Sequence, residues 1–265
     1  MQLKFEKYQG TGNDFIIIDQ REIQSLKHEN QKLIERLCDR RFGIGADGLV
    51  LLEKSPVSDF RMVYFNSDGR QSTMCGNGGR CIVHFAWSKG LCAQHTVFEA
   101  IDGLHEAEIT EGGGIIRLHM SDVDDVTQSA GNILEMNTGS PHYITFVETM
   151  PLSIKDSGSE IRYLKPYAAE GINVNFAKTL KSGHSLEVCT YERGVEDETL
   201  SCGTGVTASA LAYSIVNGLH GQQTVGIHTK GGELSVSFDR YADTRFRQIW
   251  LCGPAVHVFS GVVDL

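Results

Sequence analysis

The chain has 265 residues, which at about 150 per domain makes one large domain or two small ones, either big enough to bury a core. Hydrophobic residues at 41%, charged residues at 22% and only 5 prolines exclude collagen-like and wholly disordered chains. A formal charge of −9 with no block of Lys and Arg speaks against nucleic acid and against an anionic membrane surface as partners.

No apolar run approaches the roughly 18 residues of a membrane span, and the opening Met1-Gln2-Leu3-Lys4-Phe5-Glu6-Lys7 has no apolar signal core, so the expected compartment is the cytoplasm. In chain order, an isoleucine run predicts a strand over 15–18. Leu33, Ile34 and Leu37 then fall at helical spacing within 31–41. Strands follow over 49–52 and, with alternation, over 60–65; a helix apolar nearly all round follows over 81–88. Further strands are predicted over 115–118, 143–147 and 186–188, a second all-round apolar helix over 206–216, and a closing strand over 255–263. Read on spacing alone, that last strand can return to either half.

The chain repeats itself. Cys75-Gly76-Asn77-Gly78 and Cys202-Gly203-Thr204-Gly205 share Cys-Gly-x-Gly 127 positions apart, each ahead of a proline-free helix-length segment. Gly90-Leu91 answers Gly218-Leu219, Thr96-Val97 answers Thr224-Val225 and Gly103 answers Gly231, each at 128, while Gly10 upstream is paired with Gly139 at 129. Units of this length are domains rather than solenoid repeats. The expected fold is therefore α+β, with two homologous domains in a pseudo-twofold arrangement. Each is a mostly antiparallel or mixed sheet wrapped around a central helix, and the active site lies in the interdomain cleft. The expected domains are 1–118, completed by the terminal strand 256–265, and 119–255.

Cys38, Cys75, Cys81, Cys92, Cys189, Cys202 and Cys252 are odd in number and contain no CxxC pair, which fits reduced thiols rather than a disulfide framework or zinc ribbon. A cysteine at a helix N-terminus sits where the helix dipole and first-turn N–H groups favour an anion, worth up to about 2 kcal/mol and enough to bring a thiol from about 8.5 to about 7. The glycines let a ligand approach the same N–H groups. Two such thiols sharing a cleft should hold one thiolate and one thiol, because a second nearby charge is disfavoured. One base and one acid on opposed sides of a carbon are the equipment of a racemase or epimerase, and the arrangement requires neither pyridoxal phosphate nor metal.

The stretches Met74-Cys75-Gly76-Asn77-Gly78-Gly79-Arg80-Cys81 and Tyr191-Glu192-Arg193-Gly194-Val195-Glu196 through Ser201-Cys202-Gly203-Thr204-Gly205, with Gly10-Thr11-Gly12-Asn13-Asp14-Phe15 and Phe65-Asn66-Ser67-Asp68-Gly69, closely resemble the diaminopimelate epimerases, in order and over essentially the whole chain. The resemblance implies cofactor-independent interconversion of LL- and meso-2,6-diaminopimelate, in lysine and cell-wall synthesis, by a homodimer. It implies Cys75 and Cys202 as catalytic base and acid, assisted by His142 and Glu192. It further implies Gly76, Asn77, Gly203 and Thr204 on the reacting carboxylate, with Asn13, Asn66, Asn173, Glu192 and Arg193 also binding substrate. Taken singly, Asn13 and Asn66 also read as turn residues, Glu192 and Arg193 as a solvated charge pair and His142 as a loop histidine. Two positions depart from the family pattern: Ser140 stands where many members have Asn, and Gly48 where many have Gln. A proline or hydroxyproline racemase is the nearest enzyme rival, disfavoured by Asn77 and Arg193; a non-catalytic small-molecule-binding relative is the rival from another class.

Overall fold

The structure, a computed structural model, describes residues 2–22, 26–129, 133–181 and 183–265. It divides into two compact units, Met1–Leu118 with Gly253–Leu265, and His119–Cys252.

In the first unit, β1 (Gln2–Gly10) and β2 (Asn13–Asp19) form an antiparallel hairpin. A crossover through α1 (Gln31–Cys38) then brings β3 (Gly48–Glu53) parallel to β2. Next, β4 (Phe60–Asn66) runs antiparallel to β3. After the short β5 (Gln71–Ser72), α2 (Gly76–Ser88) delivers β6 (His95–Ala100) parallel to β4, and β7 (Gly103–Ile109) and β8 (Ile116–Met120) follow as antiparallel neighbours. The isoleucine and leucine runs are apolar without alternation because their strands are covered on both faces. Ile16, Ile18, Leu49, Leu51, Val63 and Phe65 join Ile34 and Leu37 of α1 in one core cluster. The intervening residues, Phe15, Ile17, Val50 and Tyr64 among them, are buried on the opposite face.

The second unit repeats this order. After β9 (Val126–Ser129), β10 (Ile133–Asn137) and β11 (Pro141–Phe146) form the hairpin. Then α3 (Ile154–Arg162) leads to β12 (Asn173–Thr179) parallel to β11, and β13 (Ser185–Glu192) runs antiparallel to it. Finally β14 (Asp197–Thr199) and α4 (Gly203–Val216) lead to β15 (Gly221–Thr229) parallel to β13, with β16 (Gly232–Ala242) and β17 (Arg245–Gly253) antiparallel beyond it. The fold is α+β, with mixed sheets and few helices. The closing strand β18 (Val256–Asp264) pairs antiparallel with β1, as β9 pairs with β10. The second unit ends at Cys252, three residues short of the expected 255, and the Pro254 carbonyl accepts from Arg80 of the first unit at 3.4 Å.

Strand register corrects part of the repeat. Gly90 (φ 69°) and Gly218 (φ 63°) both end their helices in the left-handed region, so that landmark has a physical cause. Gly103, however, corresponds to Gly232 rather than Gly231: each opens its strand, at φ 127° and 136°, opposite Ala100 and Thr229. Thr96 is buried and Thr224 exposed, so their match at 128 puts them on opposite faces of the pleat. Upstream, Phe15 stands opposite Gly48 as His142 stands opposite Asn173. Counted from there, Thr11-Gly12-Asn13 corresponds to Thr138-Gly139-Ser140, and Gly10 is not the partner of Gly139.

The 81–88 and 206–216 helices start earlier than hydropathy suggests, directly after Cys75 and Cys202, while the first helix stops at Cys38 rather than 41. The helix α3 carries no strong apolar signal; Ser153 caps it by accepting the Asp156 N–H at 3.1 Å.

Candidate active site

Cys75 and Cys202 are the N-cap residues of α2 and α4. Their backbones are extended, at φ −94°, ψ 129° and φ −112°, ψ 110°, and neither sulfur caps its own helix by accepting a first-turn backbone N–H. No cysteine side chain therefore competes with a ligand anion for those N–H groups. Among the remaining thiols, burial pushes Cys38 and Cys81 up to about 12 and Cys189 up to about 11, and raises Cys92.

Around Cys75, the Sγ donates to Asn13 Oδ1 at 3.8 Å and Asn77 Nδ2 donates to the same oxygen at 3.3 Å. Asn13 Nδ2 donates to Asp47 Oδ2 at 2.7 Å, and Asn77 Oδ1 accepts from Arg80 Nη2 at 2.9 Å. Arg80 is fully buried and also donates to Thr11 Oγ1 and the Gly76 carbonyl. Asn66 lies exposed at the end of β4, opposite Gly48, and no side-chain bond joins it to this group among the described residues. Gly48 has no room for a side chain: a Cβ there would stand 2.6 Å from Tyr64 Cε2 and 2.7 Å from the Phe65 carbonyl oxygen.

Around Cys202, the Sγ lies 3.5 Å from Thr204 Oγ1, and Thr138 Oγ1 donates to the Thr204 carbonyl at 2.8 Å. His142 is fully buried on β11. Thr190 Oγ1 donates to Asn175 Oδ1 at 2.9 Å, which turns the Asn175 amide nitrogen toward His142 Nδ1 at 3.1 Å and the Tyr143 carbonyl at 3.0 Å. The imidazole proton therefore sits on Nε2, which has no partner among the described residues. Burial, and then the nearby Arg193, push the histidine down to about 3, so it is neutral and can donate at Nε2 but not accept there. Gly205 packs against this group; a Cβ at that position would collide with Asn175 Oδ1 and stand 3.1 Å from Thr190 Oγ1.

Asn173, Ser140 and Arg193 form a third group. Asn173 Nδ2 donates to Ser140 Oγ at 2.8 Å and Asn173 Oδ1 accepts the Arg193 N–H at 2.9 Å. The Arg193 guanidinium donates to the Glu170 carbonyl at 3.0 Å and to Ser140 Oγ at 3.5 Å, and among the described residues no carboxylate neutralises it. Ser140 thus keeps a hydrogen-bonding role despite its short side chain. Glu192 ends β13, one residue past the Val174–Tyr191 pair and hence beside Asn173. The loop carrying Arg193 is tied down by Glu196 (φ 57°), whose carboxylate accepts from the Gly194 N–H at 3.1 Å, Tyr191 Oη at 2.8 Å and Tyr163 Oη at 3.1 Å.

Sequence reasoning missed Arg80, Asp47, Asn175, Thr190 and Glu196. Arg80 alone left a trace, as a charge at the mouth of an otherwise apolar helix; the others act through partners distant in sequence.

The fold recurs in solved structures. A PhzF-family phenazine biosynthesis protein from Bacillus anthracis superposes with a TM-score of 0.78 at 17% identity, covering 100% of both chains. A hydroxyproline epimerase from Agrobacterium vitis superposes at 0.70 and 15%, covering 100% of this chain and 93% of that one. These likenesses define the class, a duplicated α+β fold with one buried helix per unit. The family follows from sequence: the diaminopimelate epimerase model matches residues 5–126 and 135–258. Diaminopimelate epimerases from Flavobacterium psychrophilum and Chlorobaculum tepidum are 49% and 45% identical, over 98% and 97% of this chain and 100% and 99% of theirs. The chain belongs to the diaminopimelate epimerase family and is an isomerase. Among the described residues, no helix is long and apolar enough to cross a membrane.

Proposed function

We propose that the protein interconverts LL- and meso-2,6-diaminopimelate without a cofactor, with Cys75 and Cys202 as the two proton-transfer groups. The observation that carries this reading is the matched pair of cysteine N-caps in a chain of this family. One thiolate removes the α-proton from one face, and the other thiol delivers a proton to the opposite face. The charge that develops on the α-carboxylate is met by the first-turn N–H groups of the Gly76-Asn77 and Gly203-Thr204 helix starts, where it is stabilised most as the transition state forms. After each conversion the two sulfurs have exchanged protonation states.

Arg193, which no carboxylate neutralises among the described residues, is suited to a distal carboxylate, fixed by Ser140 and the Asn173-held backbone, and we assign a distal ammonium to Glu192 and Asn66. Proline has no such distal end, which favours diaminopimelate over the cyclic amino acids. His142 assists by donating from Nε2 rather than as a base. A two-thiol mechanism is suited to a reducing compartment such as the cytoplasm, which keeps both sulfurs available for proton transfer.

The test is proton NMR of LL-diaminopimelate in deuterated water. Wild type should lose the α-proton signal as the meso isomer appears, and Cys75→Ser and Cys202→Ser should each slow interconversion by about 10²–10⁴-fold. Exchange with proline or hydroxyproline instead would move the protein to the racemase branch. No exchange with any of them would leave a binding protein.

A further inference from the structure

We propose that Asn175 and Thr190 are positioning residues for the reaction: they hold His142 in its Nε2–H tautomer, so that the buried imidazole donates to an oxygen of the substrate's reacting carboxylate. The choice of that oxygen rests on the epimerase reading above; the tautomer does not.

The sheet of the second unit supplies the geometry. His142 on β11 pairs in register with Asn173 on β12, and Asn175 pairs with Thr190 on β13. Side chains two apart along a strand share a face, so His142, Asn173, Asn175, Thr190 and Glu192 stand on one side of this sheet. Tyr143, Val174 and Tyr191 alternate with them and join Ile154 of α3 in the core on the other side. The start of α4 covers the Asn175–Thr190 pair, since a Cβ at Gly205 would collide with Asn175 Oδ1 and stand 3.1 Å from Thr190 Oγ1. The adjoining pair, His142 with Asn173, is the one that holds Arg193, whose N–H Asn173 Oδ1 accepts at 2.9 Å.

The direction of the Asn175 amide is fixed from two sides. Its Nδ2 lies 3.0 Å from the Tyr143 carbonyl oxygen, which can only accept, and its Oδ1 accepts from Thr190 Oγ1 at 2.9 Å. Turned over, the amide would set its own oxygen against that carbonyl. The other Nδ2 hydrogen therefore serves His142 Nδ1, 3.1 Å away, and Nδ1 is the acceptor. Both alternative states of the ring, the Nδ1–H tautomer and the imidazolium, need a proton where the amide hydrogen already stands. Burial and the Arg193 charge oppose the imidazolium as well. Negative charge on Glu192 or on a thiolate of the pair would favour a cation, but makes no room for a proton on Nδ1.

The Nε2–H that remains is buried and has no partner among the described residues. A buried donor left unmet is costly, so an acceptor that arrives with the substrate is bound more tightly for it. A carboxylate is the acceptor that the start of α4, above the same sheet face, also favours. As the α-proton leaves, charge grows on the carboxylate oxygens, and a donor fixed in advance stabilises that charge without having to reorient. The neutral ring gives this hydrogen bond while keeping its proton.

The experiment is a long-range proton–nitrogen correlation spectrum of the intact protein, labelled with nitrogen-15 histidine, at neutral pH, with His142 assigned by its loss from His142→Phe. Wild type should show a protonated Nε2 and a bare Nδ1. Asn175→Ala, which removes the donor to Nδ1, should move both nitrogens toward the averaged shifts of an exchanging ring and lower kcat/KM for diaminopimelate by about 10- to 100-fold. Thr190→Val should move them the same way by less, and serves if Asn175→Ala fails to fold; Thr190→Ser, which keeps the hydroxyl, should retain the wild-type spectrum and activity. Saturation of wild type with diaminopimelate should shift the Nε2–H proton downfield. A wild-type ring protonated at Nδ1, or a tautomer unmoved in the folded Asn175→Ala and Thr190→Val proteins, would overturn the proposal. So would diaminopimelate that turns over normally yet leaves the Nε2–H signal in place. Failure of the epimerase reading shows separately, as wild type that neither binds nor converts diaminopimelate, which would strike out the carboxylate while the spectra still decide the tautomer.

Discussion

The two units share a backbone and a cysteine, and differ in where they bury polarity. Register matches Phe15, Val50 and Tyr64 of the first with His142, Asn175 and Thr190 of the second. The first set is an apolar floor, Phe15 and Tyr64 meeting edge to face at 6.0 Å, whereas the second is a hydrogen-bonded network. On the helices the difference reverses. Five residues past each cysteine stand Arg80 and Thr207, both bonding back to the glycine that starts their helix, but only Arg80 brings a charge. Under its helix start the first unit places a buried charge on the helix, and the second places a hydrogen-bonded network on the sheet. A duplicated fold can thus keep its cysteine-headed helix start twice while giving each thiol its own surroundings.

The largest expected effect belongs to the sheet-borne network. His142 is near 3 in the folded protein against about 6.5 unfolded, so between those values the unfolded chain binds the extra proton and stability falls as pH falls. Denaturant unfolding of wild type and His142→Phe should show the wild type losing on the order of 3 kcal/mol more between pH 6.5 and pH 4. Parallel stability profiles would mean that the imidazole is not held neutral. The next effect concerns Arg193, which among the described residues has no carboxylate partner. Arg193→Met should lower kcat/KM for diaminopimelate by about 10- to 100-fold, mostly through KM, the worth of a charge-assisted bond. An unchanged KM would remove Arg193 from the substrate's distal end.

The thiols, the glycines after them and the duplication were legible because each is a local pattern: a Cys-Gly-x-Gly start, an apolar helix, a left-handed glycine at its end. Legibility failed where side-chain meaning depends on pairing. Gly103 and Gly231 agree as letters, yet the sheet sets Gly103 against Gly232, since hairpin register and not residue count decides which residues face alike. Asn13 reads as a turn residue, and nothing local reveals that Asp47 and Arg80 fix the direction of its amide. The absent side chain at 48 is visible in the sequence, but the cause is Tyr64, sixteen residues on and across the sheet, whose ring fills the space.

The smallest predicted effect gives the cleanest comparison, because it uses one substitution at two matched positions. Gly78 and Gly205 are each the third residue after their cysteine, inside a helix. A Cβ at Gly78 would rest 3.4 Å from Met62 Cε and Phe15 Cε1, ordinary contact with an apolar floor, and alanine is the better helix former by about 1 kcal/mol. A Cβ at Gly205 would strike Asn175 Oδ1, and that oxygen cannot withdraw without giving up the Thr190 bond and unsettling the amide on His142. Thermal unfolding should find Gly78→Ala neutral or slightly stabilising and Gly205→Ala destabilising by about 1–2 kcal/mol. Asn175→Ala, which removes the obstructing oxygen, should make the Gly205 substitution less costly than in wild type, a coupling a general packing defect would not produce. Equal effects at the two glycines would mean that the helices rest on their sheets in the same way, and the polarity of the second floor would then play no part in seating its thiol.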